Sequence, residues 1–126
     1  MMKKIVNSSL APEPIGPYSQ AVIHGNTLYA SGQIAIDRKS GELITGEIGK
    51  ETELVMQNIE YILTEAGYSF SNVVKCTIFV KNMDDFAAIN TVYGKRFNEN
   101  PPARETVEVS RLPKNVNVEI SCIAVK

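Results

Sequence analysis

From about Glu47 to Ala66 the chain commits to a helix that must lie against something. Ile48, Thr52, Val55, Ile59, Leu63 and Ala66 recur at spacings of three and four, while Lys50, Glu53, Gln57 and Glu60 fall on other faces. Such a stripe predicts an amphipathic helix, and Gly67 stands where a helix C-terminus favours a residue free to take positive φ. The flanking segments read as strands. Ala21–His24 and Thr27–Ala30 flank Gly25-Asn26, which reads as a hairpin with a two-residue turn; Gln33 to Ile36 continues as a strand, and Asp37–Gly41 makes the next turn. Val73 to Val80 is a β-branched, largely apolar strand.

A second helix follows. Asn82 is placed to cap it, and Asp84 and Asp85 stand in the first turn, where the helix dipole favours negative charge. Its apolar face carries Phe86, Ile89, Tyr93 and Phe97, and Asn100-Pro101-Pro102 prevents its continuation. Two strands end the chain, about Arg104–Val109 and Val116–Val125. The order predicts one α+β domain over residues 1–126, with two helices on one face of a mainly antiparallel sheet. In the last strand Val118, Ile120, Cys122 and Ala124 alternate with Asn117, Glu119, Ser121, Ile123 and Val125. The face away from the helices is thus mixed apolar and polar, as expected of a surface buried against another subunit.

Composition removes several function classes. The 126 residues carry 13 basic and 14 acidic side chains, a net charge of −1, which speaks against a nucleic-acid footprint. No stretch approaches the roughly 18 apolar residues of a membrane span, and no apolar signal segment follows Lys3-Lys4, so a cytoplasmic location is expected. One histidine (His24) and two separated cysteines (Cys76, Cys122) cannot assemble a usual Cys/His zinc site or a Ser-His-Asp triad. The cysteines read as buried core thiols. Neither a dinucleotide fingerprint nor a phosphate loop is present, since Gly46-Glu47-Ile48-Gly49-Lys50 lacks the spacing.

A thinner constellation remains. Arg104 follows Pro101-Pro102-Ala103, so its guanidinium is presented from a stiff approach and suits capture of a carboxylate; a surface ion pair is the structural alternative. It shares a face with Thr106 and Glu108. Glu119 lies inside an apolar strand and needs a partner, either a water it activates or Arg104 itself if the last two strands pair. Asn90 lies within the second helix's apolar stripe, as a core amide or a substrate contact. Tyr18 follows Gly16-Pro17 in a turn. In Ser31-Gly32-Gln33 a glycine interrupts a strand, permitting either close approach of a ligand or a β-bulge.

Taken together, Ile15-Gly16-Pro17-Tyr18-Ser19-Gln20-Ala21, Ser31-Gly32-Gln33-Ile34, Asn90-x-x-Tyr93, Pro102-Ala103-Arg104-x-x-Val107-Glu108-Val109-x-Arg111-Leu112-Pro113 and Val118-Glu119-Ile120-x-x-Ile123-Ala124 resemble the reactive-intermediate deaminase (RidA/YjgF) family. The match runs in order over nearly the whole chain, and length and arginine resemble the 2-iminobutanoate/2-iminopropanoate deaminase subgroup. The resemblance implies a chorismate-mutase-like fold and a homotrimer with clefts between subunits. It implies hydrolysis of 2-enamine/2-imine acids to 2-keto acids and ammonia without cofactor or metal. Arg104 and the Gly32 amide would hold the substrate carboxylate, Glu119 would position water, and Tyr18, Ser31 and Asn90 would line the cleft. Glu105 and Thr106 depart from the Ser and Cys that many members carry after the arginine, and Thr106 is expected beside Arg104, where it bears on substrate preference. A 2-keto-acid-binding regulatory module without catalysis is the alternative expectation.

Overall fold

A computed structural model describes residues 2–126; Met1, part of the domain read from sequence, lies outside the described residues. Among these, six strands form one sheet: β1 (Lys4–Val6), β2 (Ala21–His24), β3 (Thr27–Gln33), β4 (Val73–Val80), β5 (Ala103–Glu108) and β6 (Val118–Val125). Their spatial order is β1-β2-β3-β6-β4-β5. Every neighbouring pair is antiparallel except β4 and β5, which run parallel. Helices α1 (Ile48–Glu65) and α2 (Phe86–Gly94) connect β3 to β4 and β4 to β5, and both cover the same face.

Local chemistry sets these boundaries. Gly25 turns the β2–β3 hairpin at φ 66°. The Glu47 carboxylate accepts hydrogen bonds from the amides of Gly49 (2.6 Å) and Lys50 (3.1 Å), satisfying two donors that α1 leaves unpaired. At the other end Gly67 takes φ 80°, and the Tyr68 amide reaches back to the Leu63 carbonyl at 2.8 Å. Val55, Ile59, Ile62 and Leu63 of α1 pack on Leu28, Ile78, Ile120 and Ala124 of the sheet, all with 1% exposure or less. Fully burying one such side chain contributes about 1.5–3 kcal/mol. No helix among the described residues is long and apolar enough to cross a membrane.

Three local readings change. The strand expected over Gln33–Ile36 ends at Gln33, because the register shifts between Ala30 and Gln33 and Ile36 instead makes an isolated bridge to Leu43. Asn82 caps a single 3-10 turn, Met83–Asp85, and α2 then stops at Gly94, so Phe97 packs edge-on against Phe70 from beyond the helix. The last two strands do not pair. Strand β5 returns parallel to β4 after α2, whereas β6 inserts between β3 and β4. The face opposite the helices stays open in a single chain: Ile5, Val22, Tyr29 and Ile123 form one lateral row across it, with Ile5 and Tyr29 exposed.

Candidate active site

The residues singled out in the sequence fall into two groups on opposite faces of the sheet. Arg104 lies in register with Cys76, which is buried under the helices, while Glu119 lies in register with Phe79. Cys76 and Phe79 are three apart on β4, and an odd separation along a strand reverses the face.

The helix-side group is built around the guanidinium. Arg104 Nη1 donates to Asn90 Oδ1 at 2.7 Å, and its Cζ stands 4.9 Å from the centroid of the Tyr93 ring and 5.5 Å from that of Phe86. Phe86, Asn90 and Tyr93 occupy one face of α2, so a single helix orients the cation from three sides. Among the described residues no carboxylate pairs with Arg104; the ion pairs run Arg38–Glu13, Lys75–Glu105, Arg96–Glu53 and Arg96–Glu60. Beside it the Thr106 hydroxyl is buried without a hydrogen-bond partner. Burial pushes the Cys76 thiol above its usual range, and that of Cys122 up to about 12, which leaves both as weak nucleophiles.

On the opposite face lies a cleft of about 380 Å³, lined among others by Ile15, Tyr18, Ser31, Gly32, Ile34 and Glu119. The bulge in β3 positions its floor. A Cβ built on Gly32 would stand 2.8 Å from Glu119 Cδ, so the glycine is required for the carboxyl to lie against the backbone. Of the alternatives read in the sequence the β-bulge is present, and the group that lies against the Gly32 backbone is the Glu119 side chain. Ser31 Oγ donates to the Ser19 carbonyl at 2.6 Å, and the Tyr18 hydroxyl accepts from the Ile15 amide at 3.2 Å, fixing the 15–20 wall. Partial burial holds the Glu119 carboxyl above the ordinary carboxylate range.

Two supports were not legible in the sequence. The wholly buried Gln20 amide bonds to the Ser8 main chain on both sides and to the Pro12 carbonyl at 3.0 Å, pinning the loop that leads to the cleft. In the sequence the aromatic pair under Arg104 reads only as a core stripe; its spacing around Asn90 is the signal that a cation platform is present. Among the described residues no three His, Cys, Asp or Glu side chains cluster as a metal would need.

The decisive comparison is with the family model described as endoribonuclease L-PSP, which matches residues 8–126. The chain belongs to this family. A RutC family protein of Pyrococcus horikoshii is 52% identical to this L-PSP chain over 125 residues, covering 99% of each. A protein of Dermatophagoides farinae named 2-iminobutanoate/2-iminopropanoate deaminase is 47% identical over 123 residues, covering 98% of this chain and 96% of its own. The crystal structure of the YjgF gene product of E. coli superposes with a TM-score of 0.91 at 39% identity, covering 98% of both chains. The RidA/YjgF resemblance and the two-helix, mainly antiparallel fold expected of an L-PSP member are therefore shown.

Proposed function

We propose that this protein hydrolyses 2-imino acids to 2-keto acids and ammonia in clefts completed by two copies of the chain. The observation that carries the reading is the division of the site. An arginine positioned without an acidic partner among the described residues faces one side of the sheet, and a half-buried carboxylate in a cleft faces the other. A small 2-imino acid needs both, a cation for its carboxylate and a base for the attacking water. Neighbouring copies can juxtapose what one chain keeps apart, and a homotrimer covering the open sheet face does so three times. The name borne by the mite relative supports the same chemistry.

The reaction asks little of the protein. Arg104 binds the carboxylate with help from the Gly32 amide, while Tyr18, Ser31, Asn90 and Thr106 shape the site. Water held by Glu119 adds to the electrophilic C2 of the imine as Glu119 takes its proton. The carbinolamine then expels ammonia, the proton going to nitrogen, and the carbonyl of the 2-keto acid forms. Orientation supplies most of the acceleration, and general base catalysis adds roughly 10²–10⁴-fold. A carboxyl raised above its ordinary pKa is a better base near neutral pH.

The family's ribonuclease description is less well supported. The net charge is −1, and His24 ends β2 at the hairpin turn, at the far end of the hairpin from Gly32. The test is imine decay in a coupled assay in which a threonine dehydratase releases the imine. Decay accelerated over the dehydratase alone is expected. Binding of 2-ketobutyrate with decay left at background would make this a keto-acid-binding module instead.

A further inference from the structure

We propose that Glu51, a residue outside the cleft, is a positioning residue that sets the register of Glu119; this rests on the reading of Glu119 as the group that holds water. Glu51 lies in the first turn of α1 and is 0% exposed, yet no lysine or arginine pairs with it among the described residues. Both carboxylate oxygens are spent on one residue. Oε2 accepts from the Asn117 amide at 2.8 Å and Oε1 from Asn117 Nδ2 at 2.7 Å. The Asn117 carbonyl in turn accepts from the Lys81 amide at 3.0 Å. Asn117 is therefore held in three directions, and it lies two residues before Glu119, at the bend that leads into β6.

Such a clamp has a reason at this point. Immediately upstream Lys114 and Asn115 take φ of 53° and 58°, left-handed conformations that persist only where the surroundings enforce them. Pro113, in the same turn, lines the cleft. Downstream, Glu119 Cγ and Cδ sit 2.9 and 2.8 Å from where a Cβ on Gly32 would be, so small shifts of β6 move the carboxyl off its seat. Burying a carboxylate without a cation is costly. The helix N-terminus offsets part of that cost, and the charge provides two strong acceptors at fixed spacing.

The experiment compares Glu51→Met and Glu51→Gln, each alone and with Glu119→Gln. Two readouts are followed: imine decay, and titration of the Glu119 carboxyl by NMR with carbon-13 label. The other titratable groups lining the cleft are Glu13 and Tyr18. Glu51→Met should lower kcat about 10- to 100-fold, the scale of a misplaced catalytic group, with little change in KM. Glu51→Gln should recover most of the rate, since the Asn117 amide can turn to pair with it. The Glu119 titration should fall toward the ordinary carboxylate range as water reaches it. In the Glu119→Gln background Glu51→Met should cost nothing further, because both act through one group. Should Glu51→Met not fold, Asn117→Ser removes one of the two bonds and should show the same split at smaller size. An unchanged kcat, or losses that multiply in the double variant, would overturn the proposal. Wild-type protein without imine hydrolysis would overturn the reading of the site instead. The Glu119 titration then decides, and an unmoved midpoint in Glu51→Met removes the positioning role.

Discussion

At the residue scale, the proposed chemistry rests on two groups without ion partners among the described residues, a cation and an anion. Arg104→Ala should abolish imine hydrolysis and weaken 2-ketobutyrate binding while leaving the fold, because its contacts are one amide oxygen and two ring faces. Calorimetric titration and circular dichroism check both halves of that statement. Glu119→Gln should behave differently. Burial alone raises its pKa, so the folded state disfavours its charge. The unfolded chain therefore loses that proton at lower pH than the folded one, and stability falls as pH rises through the window between the ordinary value and the raised one. Removing the charge should raise the melting temperature at pH 7 and flatten its decline above pH 4.5, while hydrolysis drops toward background. A lowered melting temperature at pH 7 would mean that Glu119 has an ion-pair role this geometry does not show. Gly32→Ala should be as damaging to rate as the loss of Glu119, since the added methyl occupies the position of its carboxyl.

At the scale of elements, the helices and most strands were legible because their periods are strong. The bounds of β4 coincide with those read from the sequence, and α1 runs from one residue inside Glu47 to one before Ala66. What was not legible depended on pairing between distant segments. Arg104 and Glu119 each stood out as polar groups in strand settings. Nothing in the local pattern says that β6 inserts beside β4, and only that insertion forbids the pairing of β5 with β6 and sends the two groups to opposite faces. Lys4–Val6 was missed because three residues carry no measurable period. Gln20 and Glu51 were missed because an isolated polar residue shows nothing of its partners at long sequence separation. The adjacent strands make one further claim. Cys76 and Cys122 face each other directly across β4 and β6, buried and with raised pKa. Replacing both by serine should cost about 1–3 kcal/mol per buried hydroxyl and lower the melting temperature, yet leave imine hydrolysis near wild type. A folded double variant that binds 2-ketobutyrate but is inactive would require a thiol in the mechanism.

At the scale of the whole molecule, the open sheet face and the divided site lead to one conclusion. A chain that exposes Ile5, Tyr29 and Val107 on the same face as the half-buried Glu119 carboxyl is, on the proposed function, finished by its neighbours. Light scattering should report three chains, and a stable, active monomer would remove the shared-cleft arrangement. The most direct test is complementation between two inactive variants. Arg104→Ala and Glu119→Gln proteins are unfolded together, refolded as a one-to-one mixture, and assayed for imine decay, with mass spectrometry confirming mixed assemblies. In a cyclic trimer whose sites each take the arginine from one subunit and the carboxylate from the next, random mixing restores about one quarter of the wild-type sites. Recovery of about that fraction, from two proteins that are each inactive alone, is the expected result. Confirmed mixed trimers that remain inactive would contradict a site shared between subunits.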